Sequence, residues 1–112
     1  MTRIAGVVAL VAATIVVAPA GPADAATFDV TRFDDPVPDG CASGVDCSLR
    51  EAVIDANATG GADVIDVPAG YYNLTQTGPL ENSAVTGDLD ITDDVTINGY
   101  GNVWVSASGI GC

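Results

Sequence analysis

The chain has 112 residues, with 15 acidic against 3 basic side chains, no histidine and a formal charge of −12. That charge repels polyanions, so nucleic-acid binding is excluded. The absence of His and Lys also excludes mechanisms that need an imidazole base, a Schiff-base amine or a histidine metal ligand. Carboxylate, hydroxyl or thiol chemistry remains, or none, within a length that suits one small domain.

Met1-Thr2-Arg3 is a short basic start, and Ile4 to Ala18 carries no charge, as in a secretory signal peptide. Pro19, Gly21 and Pro22 interrupt the stretch before the roughly 20 apolar residues of a membrane span are reached. Ala23-Asp24-Ala25 then presents the small-x-small spacing that a signal peptidase reads. Residues 1–25 are expected to be removed, leaving 26–112 as a secreted or cell-surface domain with no membrane attachment. The removed segment holds Arg3 and Asp24, so the net charge is unchanged by cleavage. Export makes the cysteines candidates for oxidation. Cys41 and Cys47 enclose a short loop of small residues, and a disulfide between them is expected to stabilise by roughly 2 kcal/mol. Cys112 has no evident partner, which points to an intermolecular link or to a longer protein of which this chain is a piece.

In chain order, Ala26 to Phe33 alternates as a first strand, and Asp34 to Gly40 reads as an exposed turn-rich loop. Ser48 and Glu51 form the S-x-x-E pattern of a capping box, with Ser48 as N-cap. Leu49, Ala52, Val53 and Ala56 fall at i, i+3, i+4 and i+7 and define the apolar face of a helix of about ten residues, stopped by Ala58-Thr59-Gly60-Gly61. A helix so short needs something to cover. Short strands are then predicted at Val64–Val67, Tyr71–Thr75, Asp88–Thr92, Val95–Ile97 and Val103–Val105, with turns at Pro68-Ala69-Gly70 and Asn98 to Asn102. Such strands suit a small sandwich or a coil of stacked rungs. Val67 to Leu74 and Ile97 to Val105 share a strand-turn-Tyr-strand pattern one large rung apart.

The residues that invite a chemical reading are mostly better explained by structure. Asp34-Asp35 and Asp93-Asp94 resemble general acid and base pairs, but adjacent strand residues face opposite ways and Asp is favoured in turns. Asp88 to Asp93 alternates oxygen ligands yet lacks the glycine of a calcium loop, so it reads as an acidic strand face. Arg50 is expected to pair with a nearby acid. Tyr71, Tyr72, Tyr100 and Trp104 are expected to pack. Asn57 and Asn73 match the glycan acceptor pattern by spelling only.

Cys47-Ser48-Leu49-Arg50-Glu51-Ala52-Val53, followed by Ala56-Asn57-Ala58 and Asp63 to Tyr72, resembles the CSLREA-type N-terminal module of secreted right-handed parallel β-helix (pectin-lyase-like) proteins. Gly87 to Thr92 and Val95 to Gly99 are similar to the first rungs that follow that module. The resemblance implies a mostly-β fold in which a capping helix seals the first rungs of an incomplete solenoid. It implies a non-catalytic role, with no cofactor or metal. The partners would be further rungs or another chain at the open end. The alternatives are the N-terminal piece of a polysaccharide lyase or hydrolase with its active site in later rungs, or a module that binds an extracellular glycan or calcium.

Overall fold

The computed structural model describes residues 25–41, 46–79 and 81–108. The expected signal segment up to Asp24, the tip of the cysteine loop and Cys112 lie outside the described residues. The elements are β1 (Thr27–Asp29), α1 (Leu49–Ala58), β2 (Asp63–Asn73) and β3 (Val95–Ser106). They form a mostly-strand fold with one three-stranded sheet in the order β1-β2-β3, both pairings parallel. Parallel neighbours cannot be joined by tight turns and need long crossovers. Here α1 supplies the first crossover and residues 74–94 the second. Among the described residues, no helix is long and apolar enough to cross a membrane.

The helix begins as its sequence dictates. Ser48 Oγ accepts from the Glu51 N–H, at 3.1 Å, and Glu51 Oε1 accepts from the Ser48 N–H, at 2.9 Å, so a full capping box is present. Leu49, Ala52, Val53 and Ala56 are all buried and join Val30, Ile65, Val67 and Tyr72 in one core. The helix therefore covers β2 and the neighbouring end of β1.

The strands depart from the sequence expectation in three places. β1 is shorter than Ala26 to Phe33. The Pro68-Ala69-Gly70 and Asn98 to Asn102 segments do not end their strands. β2 and β3 run through them, and the register slips once, between Pro68 and Gly70, where Pro68 pairs with Tyr100 but Gly70 pairs with Val103. Proline and glycine are placed in a strand where the ladder is already irregular. Gly101 has φ of +87°, and a Cβ at Gly70 would overlap the Phe33 ring, which in turn leans on Tyr72 with ring centroids 5.2 Å apart. The bend also inverts the alternation: Asp63, Ile65 and Val67 are buried before it, Tyr72 and Leu74 after it. The third departure is Asp88–Thr92, which forms no strand. Asn57 on α1 takes its backbone instead, donating to the Asp90 carbonyl at 2.7 Å and accepting from the Thr92 N–H at 2.9 Å.

The core position of Leu49, only 6 % exposed, gives a direct test. Leu49→Asp puts a carboxylate among apolar neighbours and is expected to cost about 3 kcal/mol or more. Asp93→Asn, at an exposed position, is expected to leave the melting temperature within about 3 °C of the parent, since surface changes cost about 0.5 kcal/mol or less. Thermal melts by circular dichroism check both.

Candidate functional site

Every side of α1 is in use. Its apolar stripe faces the sheet, and two polar stripes hold the flanking connections.

The first polar stripe carries Arg50 and Asn57, two turns apart and so on one side of the helix. Arg50 is fully buried, and Asp35 is nearly so. Arg50 Nε donates to Asp35 Oδ1 at 2.8 Å and Nη2 to Asp35 Oδ2 at 3.2 Å. Its other donors go to the carbonyls of Ala84 at 2.8 Å, Gly87 at 2.7 Å and Asp88 at 3.5 Å. All five guanidinium N–H groups thus find acceptors. Asp35 is saturated as well. Its Oδ2 accepts from the Thr75 and Gln76 N–H groups at 2.7 and 3.0 Å, and its carbonyl accepts from the Gln76 side chain at 2.7 Å. The expectation of an exposed Asp34–Gly40 loop is therefore corrected at Asp35. Its carboxylate goes inward because Arg50 and two backbone amides replace the water it gives up.

The second polar stripe carries Glu51 and Asp55, four apart. Glu51 Oε2 accepts from the Asp39 N–H at 3.0 Å, and Asp55 Oδ2 from the Cys41 N–H at 3.1 Å. The Cys41–Cys47 disulfide, with Cα atoms 4.3 Å apart, ties the same segment to the helix start, and Thr31 Oγ accepts from the Cys47 N–H at 2.9 Å. Burial pushes the Glu51 carboxyl up, but the Asp39 and Ser48 donors outweigh it and hold it below the usual range. Asp39 moves the other way, raised by its side-chain hydrogen bond with Glu51 and by the charges of Asp46 and Glu51.

The Asp34-Asp35 pair offers no poised acid and base. Asp34 is held low by the hydrogen bond from Arg32, whereas a general acid needs a raised value, and Asp35 is committed to Arg50. Arg32 also pairs with Asp46. A cavity of about 300 Å³ is lined by Asp39, Gly40, Cys41, Asp46 and Asp55, but Asp46 and Asp55 are already engaged by Arg32 and the Cys41 N–H. Among the described residues, no group of three or more His, Cys, Asp or Glu is arranged to hold a metal.

The packing expected of the aromatic residues holds only for Tyr72, whose hydroxyl donates to the Pro68 carbonyl at 2.6 Å. Tyr71, Tyr100 and Trp104 are exposed. The reason is register. The bend turns Tyr72 inward and so Tyr71 outward, where it pairs with Trp104. Tyr100 lies on the outer face against Asp66, which its hydroxyl reaches at 3.2 Å.

The open edge of β3 was not anticipated in its detail. Ile97 pairs with Ile65, yet Ile65 is 0 % exposed and Ile97 47 %. Val105 pairs with Tyr72, yet Val105 is 50 % exposed against 2 %. Equivalent positions on adjacent strands are thus buried on β2 and uncovered on β3. Comparison with known protein families, with curated proteins and with solved structures finds no match.

Two predictions follow from the helix contacts. Arg50→Ala and Asp35→Ala are each expected to cost about 3–5 kcal/mol, because each strands a buried charge. The double variant should cost clearly less than their sum, and denaturant unfolding of the cycle measures that coupling. The lowered Glu51 carboxyl contributes stability that is present above its unfolded value and lost as pH falls through the folded one, while Asp39 acts in the opposite sense. Glu51→Gln should therefore melt below the parent at pH 7, with the gap closing as pH is taken to about 3.

Proposed function

We propose that the chain is a secreted, non-catalytic structural module that caps and initiates a right-handed parallel β-helix, with the next strand along β3 supplied by a further rung or by another chain. The observation that carries this reading is the pairing of buried Ile65 and Tyr72 with half-exposed Ile97 and Val105 across one parallel register. An edge strand of twelve residues, with uncovered apolar side chains on its inner side, is a template for another strand. The parallel pairing of β2 and β3 on both sides of the irregularity at Pro68–Gly70 also supports the reading, because stacked rungs pair in parallel along their length. The disulfide is compatible with an oxidising, extracellular compartment.

The chain is expected to associate through this edge as concentration rises, measured by sedimentation velocity. The Ile97→Lys/Val105→Lys variant should remain monomeric with the far-ultraviolet circular dichroism of the parent. A parent that stays monomeric while every β3 amide resists hydrogen exchange as strongly as those of β2 would overturn the reading, since the edge would then already be covered.

A second reading, contact with an extracellular glycan, is favoured by Tyr71 and Trp104, register partners that are both exposed. Exposed aromatic side chains on neighbouring strands offer flat apolar faces on which a sugar can stack. Trp104 is the sole tryptophan, so quenching of its fluorescence by a bound oligosaccharide is the expected signal. An unchanged spectrum across a glycan series would remove this alternative.

A further inference from the structure

We propose that removal of the signal segment creates a half-buried ion pair, in which the new α-ammonium group of Ala26 docks on the buried carboxylate of Asp63. The inference goes beyond the structural-module reading and rests on cleavage after Ala25.

Asp63 is fully buried at the start of β2. Its Oδ1 accepts from the Ala26 N–H at 2.8 Å. Its Oδ2 is buried and has no hydrogen-bond partner among the described residues. A buried carboxylate with one neutral donor and one unpartnered oxygen is unfavourable unless a cation is at hand. The residues that remain after cleavage contain two basic side chains, Arg32 and Arg50, and both are committed, to Asp34 and Asp46 and to Asp35. The N-terminal ammonium is the remaining cation.

Position favours it as well. Ala25 is exposed, so the bond to be cut lies at the surface. The Ala26 carbonyl accepts from the Val64 N–H at 2.8 Å, which fixes the residue beside Asp63 from its other end. Hydrolysis breaks the Ala25–Ala26 C–N bond. The water hydroxyl goes to the Ala25 carbonyl carbon and its proton to the Ala26 nitrogen. The new Ala25 carboxyl gives up a proton to solvent, and the Ala26 amine takes one. A neutral amide with one N–H thereby becomes a cation with three, sited where Oδ1 is already bound and Oδ2 is free. Charge-assisted hydrogen bonds of this kind are about twice as strong as neutral ones. Processing would therefore tighten the docking of β1 on β2.

Residues 26–112 contain no lysine, so the α-amine is the only primary amine among them, and it is read on the N-terminal peptide alone. Intact mass of the exported protein first locates its N-terminus. Acetylation with an N-hydroxysuccinimide ester, followed on the N-terminal peptide by mass spectrometry, is then expected to run at least about tenfold slower in the native protein than in denaturant. In Asp63→Asn, and in a chain that keeps Ala25 as its first residue, the native rate should rise toward the denatured one. The second variant serves where the first does not fold. A native protein beginning at Ala26 that labels at the denatured rate overturns the proposal, as does slow labelling that persists in Asp63→Asn. A mature N-terminus elsewhere also overturns it, and leaves the structural-module reading untouched.

Discussion

The buried contact between Arg50 and Asp35 is the constraint on which the rest of the fold depends. It joins three segments that no regular hydrogen-bond ladder connects: the loop after β1, the start of the β2–β3 connection and the later part of that connection at residues 84–88. An ion pair in a core is often no better than apolar packing, because desolvation offsets the attraction. Here apolar replacements would leave the Thr75 and Gln76 amides and three carbonyls without partners, so the pair cannot be exchanged for Leu and Met without loss. Its demand reaches the backbone as well. Ala84, whose carbonyl accepts from Arg50, has φ of +62° and is fully buried. Glycine would suit that φ but would leave the methyl's place in the core empty.

A ten-residue helix is too short to persist in water alone, and α1 is stabilised by contacts on every side. The arrangement has a functional consequence. Parallel strands are brought together only by long crossovers, whose closure entropy opposes pairing. By holding the incoming loop through Glu51 and Asp55 and the outgoing one through Arg50 and Asn57, the helix fixes both crossovers. β2 then meets β1 on one side and β3 on the other in defined register.

The helix was legible in the sequence because its signals are local: the Ser48/Glu51 box and the Leu49, Ala52, Val53, Ala56 spacing lie within one segment. The salt bridge of Arg50 was legible as a need, since a cation in a chain of 15 acidic residues finds a partner. Its identity was not, because Asp35 sits fifteen residues away in a segment rich in turn-forming residues, and only the tertiary fold turns it inward. Asp88–Thr92 alternates like a strand yet makes none, since Asn57 takes the Asp90 and Thr92 backbone groups that pairing would need. Tyr71 and Tyr72 show the limit of a period-two pattern most clearly. One irregularity at Pro68–Gly70 decides which is buried, and neither residue type carries that information.

The two edges of the sheet are unequal, and the inequality gives the proposed module a direction. β1 has three residues and β3 has twelve. A very short edge strand offers few unpaired groups and is a poor template, whereas a long one with apolar side chains on its inner side is a good one. The Glu51 and Asp55 contacts, the disulfide and the Asp63–Ala26 contact lie beside β1 and the start of β2, so that end is held by the chain's own residues. Along β3 the outer face is polar at Asn98 and Tyr100, both tied to Asp66, while the inner positions Ile97 and Val105 remain uncovered. A strand added there would bury apolar surface on the inner side, at roughly 25 cal/mol per Å², and satisfy the free backbone groups of the edge. Strand addition is thus favoured on the β3 side and disfavoured on the other, the asymmetry that the proposed capping role calls for.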